Sequence, residues 1–105
     1  MTNQVQLCGR LSRPPEEKVL PSGDTIWTFR VVVPRDADGR PGVDWVDCAV
    51  WSGRLRRSVA VWGEGDVVEV SGALRRRFFR VGGRSESRVE VEASAGRLIR
   101  RADPA

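Results

Sequence analysis

The sequence contains no histidine and no tyrosine, a single methionine and only two cysteines. Without histidine, the commonest general base is missing, and two thiolates alone cannot complete a four-coordinate zinc site. The serines have no recognisable base partner, and no glycine-rich loop carries a phosphate-binding lysine. We therefore predict a protein that is not an enzyme and that needs no cofactor and no metal.

Long apolar runs are also missing, because no stretch approaches the roughly 20 apolar residues of a membrane-spanning helix. The N-terminus lacks the basic head and apolar core of a secretory signal, which favours a cytoplasmic location away from membranes. In a reducing compartment we expect Cys8 and Cys48 as two buried or half-buried thiols, and a disulfide is the alternative.

Lysine is nearly absent as well, since Lys18 is the only one among 18 basic residues. Residues 1–53 carry six basic and seven acidic groups, whereas residues 54–101 carry twelve arginines and six acids. Guanidinium groups pair with phosphate and stack on flat rings. Their clustering predicts an anionic partner.

The length of 105 residues fits one domain, which we place at residues 1–101, with 102–105 as a short end. Apolar alternation predicts strands over residues 5–11, with 18–20 as a continuation, 25–33, 43–51, 66–74 and the hairpin arms 75–81 and 88–93. Helical spacing of Leu55, Val59 and Trp62 predicts one short helix over residues 54–62. An all-β chain of five strands with a helix between strands 3 and 4 is the order of an OB-fold barrel, and a small open sheet is the alternative.

The segment 44–51 is the most informative, because a strand there places Trp45, Asp47, Ala49 and Trp51 on the face away from the core. Two indoles beside a carboxylate on an outer face are hard to explain as packing. Either a neighbouring subunit or a loop covers them, or they are platforms on which bases stack.

The run 74–80 favours base stacking. Alternation places Arg75, Arg77 and Phe79 on the outer side, and Arg76 on the inner side contradicts a buried face. We therefore predict a hairpin that leaves the barrel. Arginines that follow phosphates, interleaved with rings that stack bases, suit a groove for single-stranded nucleic acid.

Taken in order, the segments resemble the bacterial single-stranded-DNA-binding protein family. The similarity rests on NQVQLCGRL at 3–11, LPSG at 20–23, FRV at 29–31, DWVDCAVW at 44–51 and GDVVEVSGALR at 65–75. It implies an OB-fold that binds single-stranded DNA with little sequence preference, in replication, recombination or repair, at the nucleoid. It also implies a homo-oligomer, with a tetramer favoured over a dimer, that uses the first-strand edge with Gln6 and Cys8 as the dimer contact.

Position by position, the resemblance implies base stacking on Trp45, Trp51 and Phe79. Phosphate contacts are expected from five arginines: Arg75, Arg77, Arg54, Arg30 and Arg80. Two of these, Arg75 and Arg77, match basic positions of the family before its hairpin aromatic.

Three departures from the family pattern are visible. Ala37 stands where a further stacking aromatic is expected, and Asp47 occupies a place that is basic in some members, which should weaken phosphate contact. The sequence ends at residues 102–105 without the family's acidic tail, so we expect a short, tail-less paralogue and no tail-mediated recruitment of repair enzymes.

Other interpretations stay open. The opening Met1-Thr2-Asn3 together with residues 18–23 also resembles the small dimeric primosomal replication protein, another short OB-fold that binds single strands. A protein-interaction OB module would bury its tryptophans against a partner. Nothing in the sequence reads a 2′-hydroxyl, so RNA remains an alternative ligand.

Overall fold

Seven elements follow one another in the computed structural model, which describes residues 1–35, 41–51 and 53–103. The strands are β1 (Val5–Leu11), β2 (Glu16–Val19), β3 (Thr25–Pro34), β4 (Val43–Val50), β5 (Val67–Val81) and β6 (Arg84–Arg100). The helix α1 (Gly53–Val59) lies between β4 and β5. It is too short to cross a membrane, and no other helix in the described ranges could do so. Ala37 lies outside the described residues.

The sheet closes on itself, which confirms the predicted OB-fold. Its strand order is β1-β5-β6-β4-β3-β2, and β1 also pairs with β3 through Arg10 and Leu11. The strand count differs from the prediction, since Pro14 and Pro15 interrupt the ladder and leave β2 as a separate strand paired with β3. The helix therefore follows the fourth strand instead of the third. That strand, β4, corresponds to the segment 43–51 predicted as the third strand, so the helix follows the expected part of the sequence.

The strands β5 and β6 are longer than predicted, with 15 and 17 residues. The segments predicted as 66–74 and 75–81 form one continuous strand, β5. Its pairing with β6 shifts register between Ser71 and Gly72, at a β-bulge where a Cβ on Gly72 would collide with the backbone of Glu92. Gly82 and Gly83, with φ of 57° and 80°, form a two-residue turn. The connection between the predicted arms 75–81 and 88–93 is therefore shorter than expected, because strand pairing resumes at Arg84, directly after this turn.

The core is built from the inward positions of the strands and one side of α1. Leu55 and Val59 of the helix are buried, and Trp62 packs edge-on against Phe29 with ring centroids 5.6 Å apart. The helix is shorter than the predicted 54–62, because the amides of Val61 and Trp62 bond to the carbonyls three residues before them, Ser58 and Val59, instead of four. With the helix on the core side, the outer face of β3, β4 and β6 is left uncovered by α1.

Asp66 ties the turn after the helix to the end of β6. Its buried carboxylate accepts hydrogen bonds from the amides of Gly63 and Ala102, each at 2.8 Å, and from Arg101 Nη1 at 3.2 Å. Burial alone would raise the pKa of Asp66, but these donors outweigh it and hold the pKa below its ordinary value. The carboxylate therefore stabilises the barrel end in its charged form.

Candidate nucleic-acid interface

Three aromatic side chains stand on the outer side of the barrel, as predicted. Val46, Cys48 and Val50 turn inward on β4, so Trp45 turns outward and is 57% exposed. Trp51 follows directly after β4 and is 37% exposed, and Phe79 near the end of β5 is 38% exposed. Each of the three rings therefore leaves more than a third of its surface accessible to a flat partner such as a base.

Arg30 lies over the ring of Trp45 and is paired with Asp47. Arg30 and Asp47 are opposite each other in the β3–β4 register, and Arg30 Nε lies 2.9 Å from Asp47 Oδ1. This hydrogen bond raises the pKa of Arg30, and it holds the guanidinium carbon 3.9 Å from the centre of the Trp45 ring. One face of Trp45 is thus occupied by a cation, and a base can stack on the free face or replace Arg30. Asp47, which we expected to weaken phosphate contact, is the carboxylate partner of Arg30 in this ion pair.

Arg77 is held in the same way beside Trp51. Its Nε lies 2.6 Å from Oε1 of Glu90, a residue that is only 8% exposed, and its guanidinium carbon lies 5.3 Å from the Trp51 ring centre. Arg77 Nη2 is buried and has no hydrogen-bond partner in the described part of the chain. On the same face, Arg75 Nε lies 2.6 Å from Glu92 Oε2. Three of the predicted phosphate-binding arginines are therefore paired with carboxylates.

Phe79 has a cationic neighbour that sequence reasoning missed. The guanidinium carbon of Arg88 lies 5.4 Å from the Phe79 ring centre. Arg88, Glu90 and Glu92 alternate with inward residues along β6, so all three belong to the outer face. The sequence of the predicted arm 88–93 already indicates that these three residues share one face. It does not indicate how β6 pairs with β5, which is what brings them next to the aromatic rings.

Two predicted arginines are not joined to this group. Arg54 is exposed in the first turn of α1, and no ion pair is found for it within the described ranges. Arg80 lies by strand alternation on the opposite side of the hairpin from Phe79, beside the highly exposed Phe78, and donates to the Gly83 carbonyl at 3.2 Å. Arg80 therefore lies on the other side of the hairpin from Phe79, and its phosphate contact stays a prediction.

The two thiols differ from the expected buried or half-buried pair. Cys48 is buried in the core, where burial raises its pKa to about 12, whereas Cys8 on β1 is exposed. Both are free thiols. Across the described ranges, no group of three or more histidine, cysteine, aspartate or glutamate side chains could hold a metal ion.

A closed barrel with this strand order, one helix, and rings and arginines on its outer face defines an OB-fold protein of the nucleic-acid-binding kind. The chain belongs to the single-strand binding protein family, which it matches over residues 2–99.

Individual relatives agree with this assignment. Single-stranded DNA-binding protein 2 of Streptococcus agalactiae serotype III is 32% identical over 103 residues, covering 94% of this chain and 78% of the relative. Single-stranded DNA-binding protein 1 of Staphylococcus aureus strain COL is 32% identical over 82 residues. The matched region covers 75% of this chain and 49% of the Staphylococcus protein. The Plasmodium falciparum SSB, solved in complex with single-stranded DNA, shares the fold with a TM-score of 0.78, 22% identity and 95% coverage of both chains.

Proposed function

We propose that this protein binds single-stranded DNA without chemical change to it, through contacts that every base can make. The observation that carries the proposal is the single outer face on which Trp45, Trp51 and Phe79 are exposed between arginines. Family membership supports it, as do the relatives named for the same activity. Such binding serves replication, recombination or repair in the cytoplasm at the nucleoid, with residues 1–101 as the binding domain.

Stacking supplies the sequence-tolerant part of the binding energy. A base that covers an exposed ring contributes about 1–3 kcal/mol, and all four bases have a flat face to offer. Trp45 presents the largest free area of the three rings, and Trp51 and Phe79 are each more than one-third exposed. Together they mark a path along the outer face from β4 to the hairpin.

Phosphate binding requires an exchange of partners. Arg30, Arg75 and Arg77 are paired with carboxylates before DNA arrives, so a phosphate must share or displace each carboxylate. An arginine that stays paired with a carboxylate neutralises less of a phosphate's charge, so fewer counterions are released from the DNA. The salt dependence of binding is then weaker than the number of arginines suggests. Arg54 and Arg80 extend the phosphate path beyond the aromatic group.

A second part of the proposal is a homo-oligomer that forms through β1. This strand pairs with β5 from Val5 to Arg10, but with β3 only at Arg10 and Leu11. For residues 5–9 of β1, no second strand is paired within the described structure, and an open edge of this kind can pair with another chain. Multi-angle light scattering measures the mass of the protein in solution, and we expect the mass of a dimer or tetramer. The mass of a monomer at micromolar concentration would contradict the proposed oligomer.

The binding proposal is tested by fluorescence polarisation with labelled oligo(dT), an equivalent oligo(U) and a labelled duplex. We expect tight binding to oligo(dT) and weak binding to the duplex, whose bases cannot reach the rings. Preference for oligo(U) would indicate an RNA ligand. Indifference to all three, with a folded protein, would refute the proposal and favour the protein-interaction module.

A further inference from the structure

The part of the β5–β6 hairpin that projects from the barrel has a second exposed face. Residues 75–81 pair only with residues 84–90 in the described structure, because β1 and β4 pair with these strands only closer to the barrel. By strand alternation Phe78 points to the side opposite Phe79, and at 76% exposed it is more open than Trp45 at 57%. Its ring therefore has little packing within the chain and is available to a partner.

The side of the hairpin that carries Phe78 has arginines but no carboxylate. Arg76 and Arg80 lie two residues before and after Phe78, so all three point to the same side. The residues opposite them in the register are not acidic: Val89, Ser87 and Ser85. Arg76 Nη1 lies 3.1 Å from Ser87 Oγ. Arg80 Nη1 lies 3.2 Å from the Gly83 carbonyl oxygen, and neither arginine has an ion pair within the described ranges. Both guanidinium groups therefore keep their full charge, unlike the arginines on the other side of the hairpin.

An open ring between two unpaired cations fits an anionic partner that also carries flat apolar groups. Single-stranded DNA presents phosphates and bases in alternation along one chain. Arg76, Phe78 and Arg80 alternate in the same way, with roughly 6.8 Å between successive side chains. A second copy of the same face is a poor partner, because its guanidinium groups would repel those of the first copy. The charge of this face therefore favours a DNA strand as its occupant.

A DNA strand that stacks on Phe79 has a short route to this second face. Phe78 and Phe79 are neighbours in the sequence, and the hairpin is two strands wide at this point, with about 4.8 Å between the strands. The DNA therefore crosses one edge of the hairpin to pass from one ring to the other. We propose that bound single-stranded DNA continues around the hairpin, with a base stacked on Phe78 and with phosphates bound by Arg76 and Arg80. This inference rests on the proposed binding of single-stranded DNA and adds a second binding face to it.

The role of the ring is tested by fluorescence polarisation with oligo(dT) of about 16 nucleotides, the largest site that one OB-fold covers. Phe78→Leu keeps an apolar side chain but removes the ring, and it should weaken binding about fivefold or more, the loss expected for one stacked base. Phe78→Trp supplies another ring and should bind as the wild type does. Both variants should remain folded, because position 78 is exposed.

The role of the two arginines is tested by the salt dependence of the same titration. Arg76→Gln and Arg80→Gln should each make the slope of log K against log salt shallower by about 0.7, the contribution of one phosphate contact. Arg97→Gln is the matched control, because it removes the same charge from an arginine that is paired with Glu69 away from the hairpin. Its slope should keep the wild-type value.

Wild-type affinity in Phe78→Leu, or wild-type slopes in both Arg76→Gln and Arg80→Gln, would overturn the second binding face. The proposed function would still stand if Trp45→Ala weakened binding in the same titration. A lower mass of Phe78→Leu in light scattering would assign this face to a contact between copies of the chain and would also overturn the inference. Failure of the wild type to bind oligo(dT) would instead refute the proposed function itself.

Discussion

Replacing Glu92 with glutamine should strengthen DNA binding and make it more sensitive to salt. In the free protein Arg75 Nε is held 2.6 Å from Glu92 Oε2, and the two side chains are 56% and 32% exposed. An ion pair this accessible contributes about 0–1 kcal/mol to folding, so the variant should remain folded. The released guanidinium is then free to neutralise one additional phosphate.

The size of the effect follows from counterion release. Each phosphate contact on a single strand contributes about −0.7 to the slope of log K against log salt. One more contact makes the slope of Glu92→Gln steeper by about 0.7, so that a tenfold rise in salt weakens its binding about fivefold more than that of the wild type. Polarisation titrations with oligo(dT) across a salt series measure both slopes.

Glu69→Gln separates this effect from a simple change in net charge. Glu69 makes the same kind of pair with Arg97, at 3.0 Å and with a carboxylate exposure of 29%, but it lies outside the group of rings. Its slope should stay close to that of the wild type. If Glu92→Gln and Glu69→Gln give the same slope, the carboxylate partner of Arg75 does not govern phosphate contact, and the exchange of partners is refuted.

Three further predictions concern stacking, stability and the core thiol. Trp45→Ala and Trp51→Ala should each lose about 1–3 kcal/mol of oligo(dT) binding by titration, and losses below a few tenths at both sites would contradict stacking. Asp66→Asn should lower the free energy of unfolding in urea by about 1.5–3 kcal/mol at pH 7, because it removes the charge from a buried, hydrogen-bonded acceptor. Folding lowers the pKa of Asp66, so the stability that its charge contributes is complete above the unfolded pKa of about 3.9. This stability is lost as the pH falls through the folded pKa. A difference in unfolding free energy between variant and wild type that stays constant down to pH 2 would contradict this prediction. In a Cys8→Ser variant, Cys48 should resist a thiol reagent at pH 8 until the protein unfolds, since burial raises its pKa to about 12, and rapid reaction of the native protein would show that the core is open.

Alternation along single strands predicted much of the binding face. The inward turn of Val46, Cys48 and Val50 follows from a period of two, and this alone places Trp45 outward. The OB-fold also followed from the order of strands and helix. These features depend on residues close together in sequence, where local patterns are informative.

Contacts between distant strands could not be predicted in this way. The pairing of Arg77 with Glu90 and of Arg30 with Asp47 depends on the register between strands. Between β5 and β6, the bulge at Gly72 also shifts that register by one residue. Without that register, the arginines could be counted but not recognised as already paired.

The central claim is that DNA bases stack on exposed indoles, and titration of the intrinsic tryptophan fluorescence with oligo(dT) tests it most directly. Trp62 is buried in the core and Trp27 is half-buried against it, so quenching should report mainly on Trp45 and Trp51. We predict strong, saturable quenching by oligo(dT), little by duplex DNA, and the loss of most of the signal change in a Trp45→Ala, Trp51→Ala double variant. A folded protein that shows no quenching at saturating oligo(dT), or the same quenching in the double variant, would contradict the claim.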